Sequence, residues 1–191
     1  MTNPTYVHGY SDRESERLAD QARTLTGLLH HDTLYPPGST VLEAGCGIGA
    51  QTVILSKSSP GAAITSIDIS PDSLKKAEET VRLAGCTNVT FRQADIFSLP
   101  FAAGSFDHIF VCFVLEHLAD PAGALRHLHP LLKEGGTITV IEGDHGSTFF
   151  HPDDADAQKA VDCLVELQKR GGGNALIGRQ LYPLLCRAGY R

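Results

Sequence analysis

Between residues 40 and 144 the apolar positions follow two rhythms: short runs of five to nine residues, and longer stretches in which they recur every three or four residues. The short runs TVLEA (40–44), AAITSIDI (62–69), NVTFRQAD (88–95), FDHIFVCFV (106–114) and GTITVIEGD (136–144) are rich in β-branched and aromatic residues and predict strands. GAQTVILSKSS (49–59), SPDSLKKAEETVRLAG (70–85) and PAGALRHLHPLLKEG (121–135) predict helices, the second with Ser70 as N-cap, Pro71 in the first turn and Gly85 just past the end. IFSLPFAAGS (96–105) reads as a loop. Strands separated by helix-length segments predict βαβ crossovers and a doubly wound, mostly parallel α/β sheet covered on both faces. The apolar centres HIFVCFV and TITVI suit strands buried on both sides.

Outside this alternation the pattern is helical. YSDRESERLADQARTLTGLLH opens with Ser11 and Glu14 at capping-box spacing, and Leu18, Leu25, Leu28 and Leu29 recur at helical intervals. YPPGS breaks that helix, because proline cannot donate and glycine frees the turn. DADAQKAVDCLVELQKR and LIGRQLYPLLCRAG predict two more helices, joined by GGGNA (171–175). The expected division is an N-terminal helical lid over residues 1–36 and an α/β domain over 37–191. The final AGYR reads as a helix C-cap followed by the start of a strand, so the sheet is expected to lack C-terminal strands.

Composition narrows the class. A chain of 191 residues with 42% hydrophobic and 20% charged residues suits one globular domain. No apolar run reaches the roughly 20 residues of a membrane span, and the N-terminus lacks signal-peptide order, so a cytoplasmic protein without membrane contact is expected. The five cysteines, with no CxxC pair, predict reduced and mostly buried thiols. A net charge of −6 without a basic cluster points away from nucleic acid and toward a small-molecule ligand.

The chemistry begins at VLEAGCGIGAQT. Glycines between a strand and a helix let backbone N–H groups approach a ligand closely. Gly45, Gly47 and Ala50 fit the relaxed dinucleotide fingerprint GxGxxA, whereas Glu43, Gly45, Gly47 and Gly49 fit the ExGxGxG loop of S-adenosylmethionine (SAM) methyltransferases. Asp68 ends the second strand, where a carboxylate can accept from a ribose diol; both cofactors call for it. Asp95 ends the third strand, where a carboxylate can accept from an adenine amino group, and the dinucleotide reading does not call for it. Cofactor binding is the first reading of this loop, with a tight turn without ligand as the alternative for the glycines alone.

LEAGCGIG, SIDISPDSL, QADIFSLPF, SFDHIFVCFVLEHLADP and LLKEGGTITVIEGD resemble, in order and spacing, the successive motifs of class I SAM-dependent methyltransferases over residues 39–144. The flanks are similar to small-molecule enzymes of that group, including those that methylate indole C3 in pyrroloindoline alkaloid biosynthesis. The resemblance implies a Rossmann-like fold and SAM as cofactor, with S-adenosylhomocysteine (SAH) as product. It implies that Gly45, Gly47 and Gly49 line the methionine and ribose portions while Glu43 organises the loop and the amino group. Asp68 would take the ribose, with Ile69 against the adenine, and Asp95 with Ile96 would complete adenine recognition. Phe113 would offer its carbonyl to the methionine ammonium, Gln51 a polar contact, and Tyr10 with Tyr6 a cover over the site.

Methyl transfer requires alignment and exclusion of water, and a proton acceptor helps when the nucleophile loses a proton. Glu116 and His145 are the candidate catalytic residues, with His117, Glu142 and Asp144 as further acid–base candidates. DHGSTFFHPDD holds Asp144, His145, His151, Asp153 and Asp154, but HPDD has the look of a helix start and no metal is expected. His30, His31, His127 and His129 read as surface or interface residues. Phe149 and Phe150 with Tyr6, Tyr10 and Tyr182 form either an aromatic acceptor slot or core. The expected function is methyl transfer to a small aromatic or amine metabolite such as an indole. The alternatives are an NAD(P)-dependent oxidoreductase and a cofactor-binding module without turnover. An unpaired sheet edge favours association, with a homodimer as the expected form.

Overall fold

A single five-stranded sheet, all parallel and in the order β3-β2-β1-β4-β5, organises the molecule. The computed structural model describes residues 12–191, so Tyr6, Tyr10 and Ser11 lie outside the described residues. The strands are β1 (Thr40–Ala44), β2 (Ala63–Asp68), β3 (Val89–Gln93), β4 (Phe106–Cys112) and β5 (Leu132–Ile141). The helices are α1 (Asp12–Leu29), α2 (Ala50–Ser58), α3 (Pro71–Leu83), α4 (Pro121–Leu128), α5 (Ala155–Arg170) and α6 (Leu181–Arg187). The chain leaves β1 toward β2 on one side and returns to β4 on the other, so the order reverses between β1 and β4. In open parallel sheets the crevice at the carboxyl ends of such strands is where ligands sit.

Alternation along the buried strands sorts the core onto two faces. Leu42, Ala44, Ile67, Ile109 and Val111 pack with Leu125 and Leu128 of α4 and Leu184 of α6. Val41, Ile64, Phe110 and Cys112 pack with Leu55 of α2 and Tyr35. Each fully buried Leu, Ile or Phe contributes roughly 1.5–3 kcal/mol of burial. The predicted cap at Ser70 forms, its Oγ accepting from Ser73 N at 3.2 Å, and Asp120 and Asp154 likewise cap α4 and α5, accepting from Gly123 N at 2.7 Å and Asp156 N at 2.8 Å. Asp154 therefore starts α5, as the HPDD pattern suggested.

Several expectations are corrected. The helix predicted over 121–135 ends at Leu128, because Pro130 cannot continue it; β5 already starts at Leu132 and bulges between its pairings with Phe106 and His108. Leu28 is 71% exposed, and α1 instead buries Ala22. His30 is buried against Phe110, with ring centroids 5.6 Å apart, rather than lying at the surface. All five cysteines are free, but only Cys46 and Cys112 are buried while Cys163 and Cys186 are exposed.

Candidate functional site

The turn after β1 holds three left-handed glycines, and each has its own reason. Gly45 (φ 83) lies so close to the strand-β4 side that a Cβ there would collide with Val114 Cγ2. Gly49 (φ 82) begins α2 against α3, where a Cβ would sit 2.9 Å from Ala77 Cα. Gly47 (φ 53) faces open space, with no heavy atom within 4 Å of a built Cβ. Gly45 N and Cys46 N both donate to Ile67 O, at 2.8 and 2.9 Å, which fastens the turn to β2.

Two carboxylates meet this turn from different depths. Glu43 is 2% exposed, and its Oε2 accepts from Thr52 Oγ1 at 2.7 Å and Ser66 Oγ at 2.6 Å. Burial pushes its carboxyl up to about 7, against the pull of those two hydroxyls. Glu43 thus ties β1 to α2 and β2. Asp68 stands at the rim: Oδ2 accepts from Gly47 N and Oδ1 from Ser70 N, each at 2.9 Å. One N–H per oxygen leaves each with further acceptor capacity. Ile69 beside it is 58% exposed, an apolar platform at the mouth of the crevice. Asp95 is exposed at the end of β3, with Oδ1 accepting from Phe97 N at 2.9 Å, and Ile96 packs against the α4-side core.

Across the switch point the polar groups close on one another. Phe113 adopts φ 56, a conformation strained for a side-chain-bearing residue, and its N donates to Ile141 O at 2.9 Å. Immediately after it, Glu142 Oε1 accepts from Val114 N at 2.8 Å and Leu115 N at 2.7 Å, and Oε2 from Glu116 N at 3.3 Å. Glu142 is thereby engaged by backbone N–H groups of the turn after β4. Burial pushes its carboxyl up to about 7 although these N–H groups pull it down.

Glu116, 6% exposed, faces two imidazoles: His145 Nε2 lies 3.6 Å from Oε2 and His117 Nε2 3.5 Å from Oε1. Gln168 Nε2 of α5 adds a hydrogen bond to Oε2 at 3.1 Å. Burial raises the Glu116 proton affinity, but these partners together hold the carboxyl below the ordinary range. The Glu116 carboxylate in turn raises His145 above its usual value of 6.5. Asp144 is held by Arg179 in a bidentate pair at 2.7 and 2.9 Å.

A family profile described as "Methyltransferase domain" matches residues 36–189. The chain belongs to the methyltransferase-domain family. It is 33% identical over 150 residues to an uncharacterised methyltransferase of Schizosaccharomyces pombe, covering 74% of this chain and 52% of that protein. It is 37% identical over 115 residues to the demethylmenaquinone methyltransferase of Tropheryma whipplei, covering 60% of this chain and 46% of the relative. Among solved structures, Haemonchus contortus phosphoethanolamine N-methyltransferase 2 in complex with SAM superposes with a TM-score of 0.64 at 20% identity, covering 89% of this chain and 36% of that one. The class I methyltransferase fold expected from the motifs is the fold found. The chain spans about half the length of the Schizosaccharomyces and Tropheryma relatives, at 52% and 46%.

Within this methyltransferase domain, Gly45, Gly47, Asp68 and Ile69 lie at the carboxyl ends of β1 and β2, where Gly47 N meets Asp68, and Phe113, Glu116 and His145 follow the ends of β4 and β5, where His145 meets Glu116. Gln51 points its Oε1 at His30 Nε2, 2.7 Å away, which joins α2 to the end of α1. Asp144, His145, His151, Asp153 and Asp154 do not gather: among the described residues no three His, Cys, Asp or Glu side chains form a metal-sized group. Phe149 and Tyr182 are 93% and 80% exposed, so neither is core. Gln168 and Gly173 escaped the sequence reading. A Cβ on Gly173 would strike Glu116 O, and Asn174 N donates to that same carbonyl at 2.7 Å. The glycine run GGGNA was the available signal for this close approach.

Proposed function

We propose that the chain is the cofactor-binding part of a SAM-dependent methyltransferase acting on a small aromatic or amine acceptor, such as indole at C3. The observation that carries this reading is the open face of Gly47 beside Asp68, whose carboxylate keeps acceptor capacity, and the exposed Ile69. A ribose diol and an adenine ring suit that pair, and Asp95 with the backbone N–H of Ile96 extends the row toward the adenine edge. The Phe113 carbonyl, aimed by a left-handed backbone, suits the methionine ammonium. The N-terminal helix α1 packs on α2 and serves as the lid, while Tyr10 lies outside the described residues.

Bound SAM would supply an electrophilic sulfonium methyl whose carbon–sulfur electron pair leaves with the sulfur, so this chain's own part is to align the acceptor and take up the proton it loses. His145 receives the proton that the acceptor releases. Its Nε2 faces Glu116, so Nε2 carries the hydrogen and Nδ1 is the basic atom. Glu116 is too deeply buried to touch an acceptor; it is a positioning residue that holds the imidazole tautomer and raises its basicity. The active form has His145 neutral, so activity falls as pH drops through its raised value, above 6.5.

Incubation with SAM and a panel of indoles, phenols and amines, read by mass spectrometry, tests the reaction. The expected product is heavier by one methylene. His145→Gln should lower kcat by about 10²-fold or more with SAH affinity unchanged. An enzyme that binds SAH and methylates an acceptor equally well as the His145→Gln variant would remove the proton-acceptor role.

A further inference from the structure

Glu142 lies at the carboxyl end of β5, on the acceptor side, yet both its oxygens point back to the turn after β4. Three consecutive N–H groups, those of Val114, Leu115 and Glu116, converge on one carboxylate at 2.7–3.3 Å. Those N–H groups open a 3-10 turn (Leu115–His117) that has no side-chain cap of its own. The first residue of the clamped set, Val114, presses its side chain onto Gly45, so closely that no Cβ fits there. On the other side of Val114 stands Phe113 in its left-handed conformation. A single carboxylate therefore holds residues 114–116 and, through Val114, one wall of the glycine turn, next to Phe113, whose own N donates to Ile141 O of β5.

We infer that Glu142 is a positioning residue for cofactor binding: its carboxylate holds residues 114–116 in place, and through the Val114 side chain it sets the shape of the turn at Gly45. The inference rests on the SAM reading above. An ionised carboxylate accepts three N–H groups strongly, whereas its protonated form turns one oxygen into a donor that the same N–H groups cannot use. The clamp is consequently sensitive to protonation. Burial, with the Glu116 charge adding to it, places the Glu142 carboxyl at about 7, so the clamp loosens as pH falls through neutrality. The titratable neighbours that act with it are Glu116 on the 3-10 turn and the Cys112 thiol of β4. Burial and the Glu142 charge keep that thiol neutral.

The test is calorimetric titration of SAH into the full chain and into Glu142→Gln at several pH values, with melting temperature recorded for each. Wild-type affinity should weaken about tenfold between about pH 8 and pH 6, the size expected for losing one charge-assisted bond. The variant should be about tenfold weaker than wild type near pH 8 and flat with pH, so the two curves converge near pH 6. Parallel curves, or equal affinities throughout, overturn the inference while leaving the SAM reading intact. Absence of SAH binding by folded wild type at every pH overturns both. Where Glu142→Gln fails to fold, Glu142→Asp keeps the charge and shortens the reach: weakened SAH binding at all pH values supports the clamp, and wild-type affinity overturns it.

Discussion

Along the carboxyl edge of the sheet, the β1–β3 half presents backbone and rim carboxylates outward, whereas the β4–β5 half turns its polar groups upon one another. Asp68 accepts one N–H per oxygen, from Gly47 across the β1–β2 seam and from neighbouring Ser70, and exposed Asp95 accepts from Phe97 N. Glu116 and Glu142 are engaged by groups from the turn after β4, the loop after β5 and α5, up to 52 residues away in sequence. On the proposed function, the first half is the surface that a ligand completes. The second is a preorganised network that acts through one partly exposed member, His145, and through the backbone it pins. On the proposed function, binding and proton handling occupy adjacent halves of one edge, joined at the contact of Val114 with Gly45.

The comparison breaks most sharply at the glycine turn. Gly49→Val forces a β-branched residue into φ 82 with its Cβ 2.9 Å from Ala77 Cα. The left-handed conformation costs about 1–2 kcal/mol and the overlap about 1–3 kcal/mol. Urea unfolding should show a lower midpoint with an unchanged m-value; an unchanged midpoint would mean that α3 does not crowd this glycine.

A smaller effect separates stability from ligand affinity. Glu43 and Glu142 are both raised from 4.5 to about 7 in the fold. A carboxyl raised on folding gives stability that is fully present below its unfolded value and is lost as pH climbs through its folded value. The melting temperature should therefore fall as pH rises from about 6 to 8, by the equivalent of on the order of 1 kcal/mol per group. SAH affinity should move in the opposite direction. Glu43→Gln should flatten its share of the melting trend; a trend identical to wild type would show that Glu43 does not titrate there.

The two halves also differ in how far the sequence revealed them. The turn at residues 45–49 and the acids at strand ends are encoded within a few neighbouring positions, and the alternation of strands and helices places them on one edge without any coordinates. Glu116 and His145 were readable as acid–base residues, but their 3.6 Å contact joins two loops and needs the fold. Glu142 looked like a third member because a carboxylate at a strand end carries no mark of what it accepts. Its partners are backbone N–H groups, which no residue type announces. Gln168, the one fully buried side chain of α5, sits in a helix whose other positions are exposed or half-buried, so the amphipathic pattern said nothing of it. His30 was misread because a His-His pair after a helix resembles solvent-facing punctuation, whereas the packing of Phe110 and Gln51 draws one ring inward.

The central claim is that the glycine turn and Asp68 together receive an adenosyl group. Calorimetric titration of SAH into wild type and Asp68→Asn tests it most directly. The account predicts one saturable site of micromolar affinity in wild type, weakened about tenfold or more in the variant as charge-assisted bonds are lost. Folded wild type that gives no heat with SAH, or that saturates with NADH instead, would contradict it.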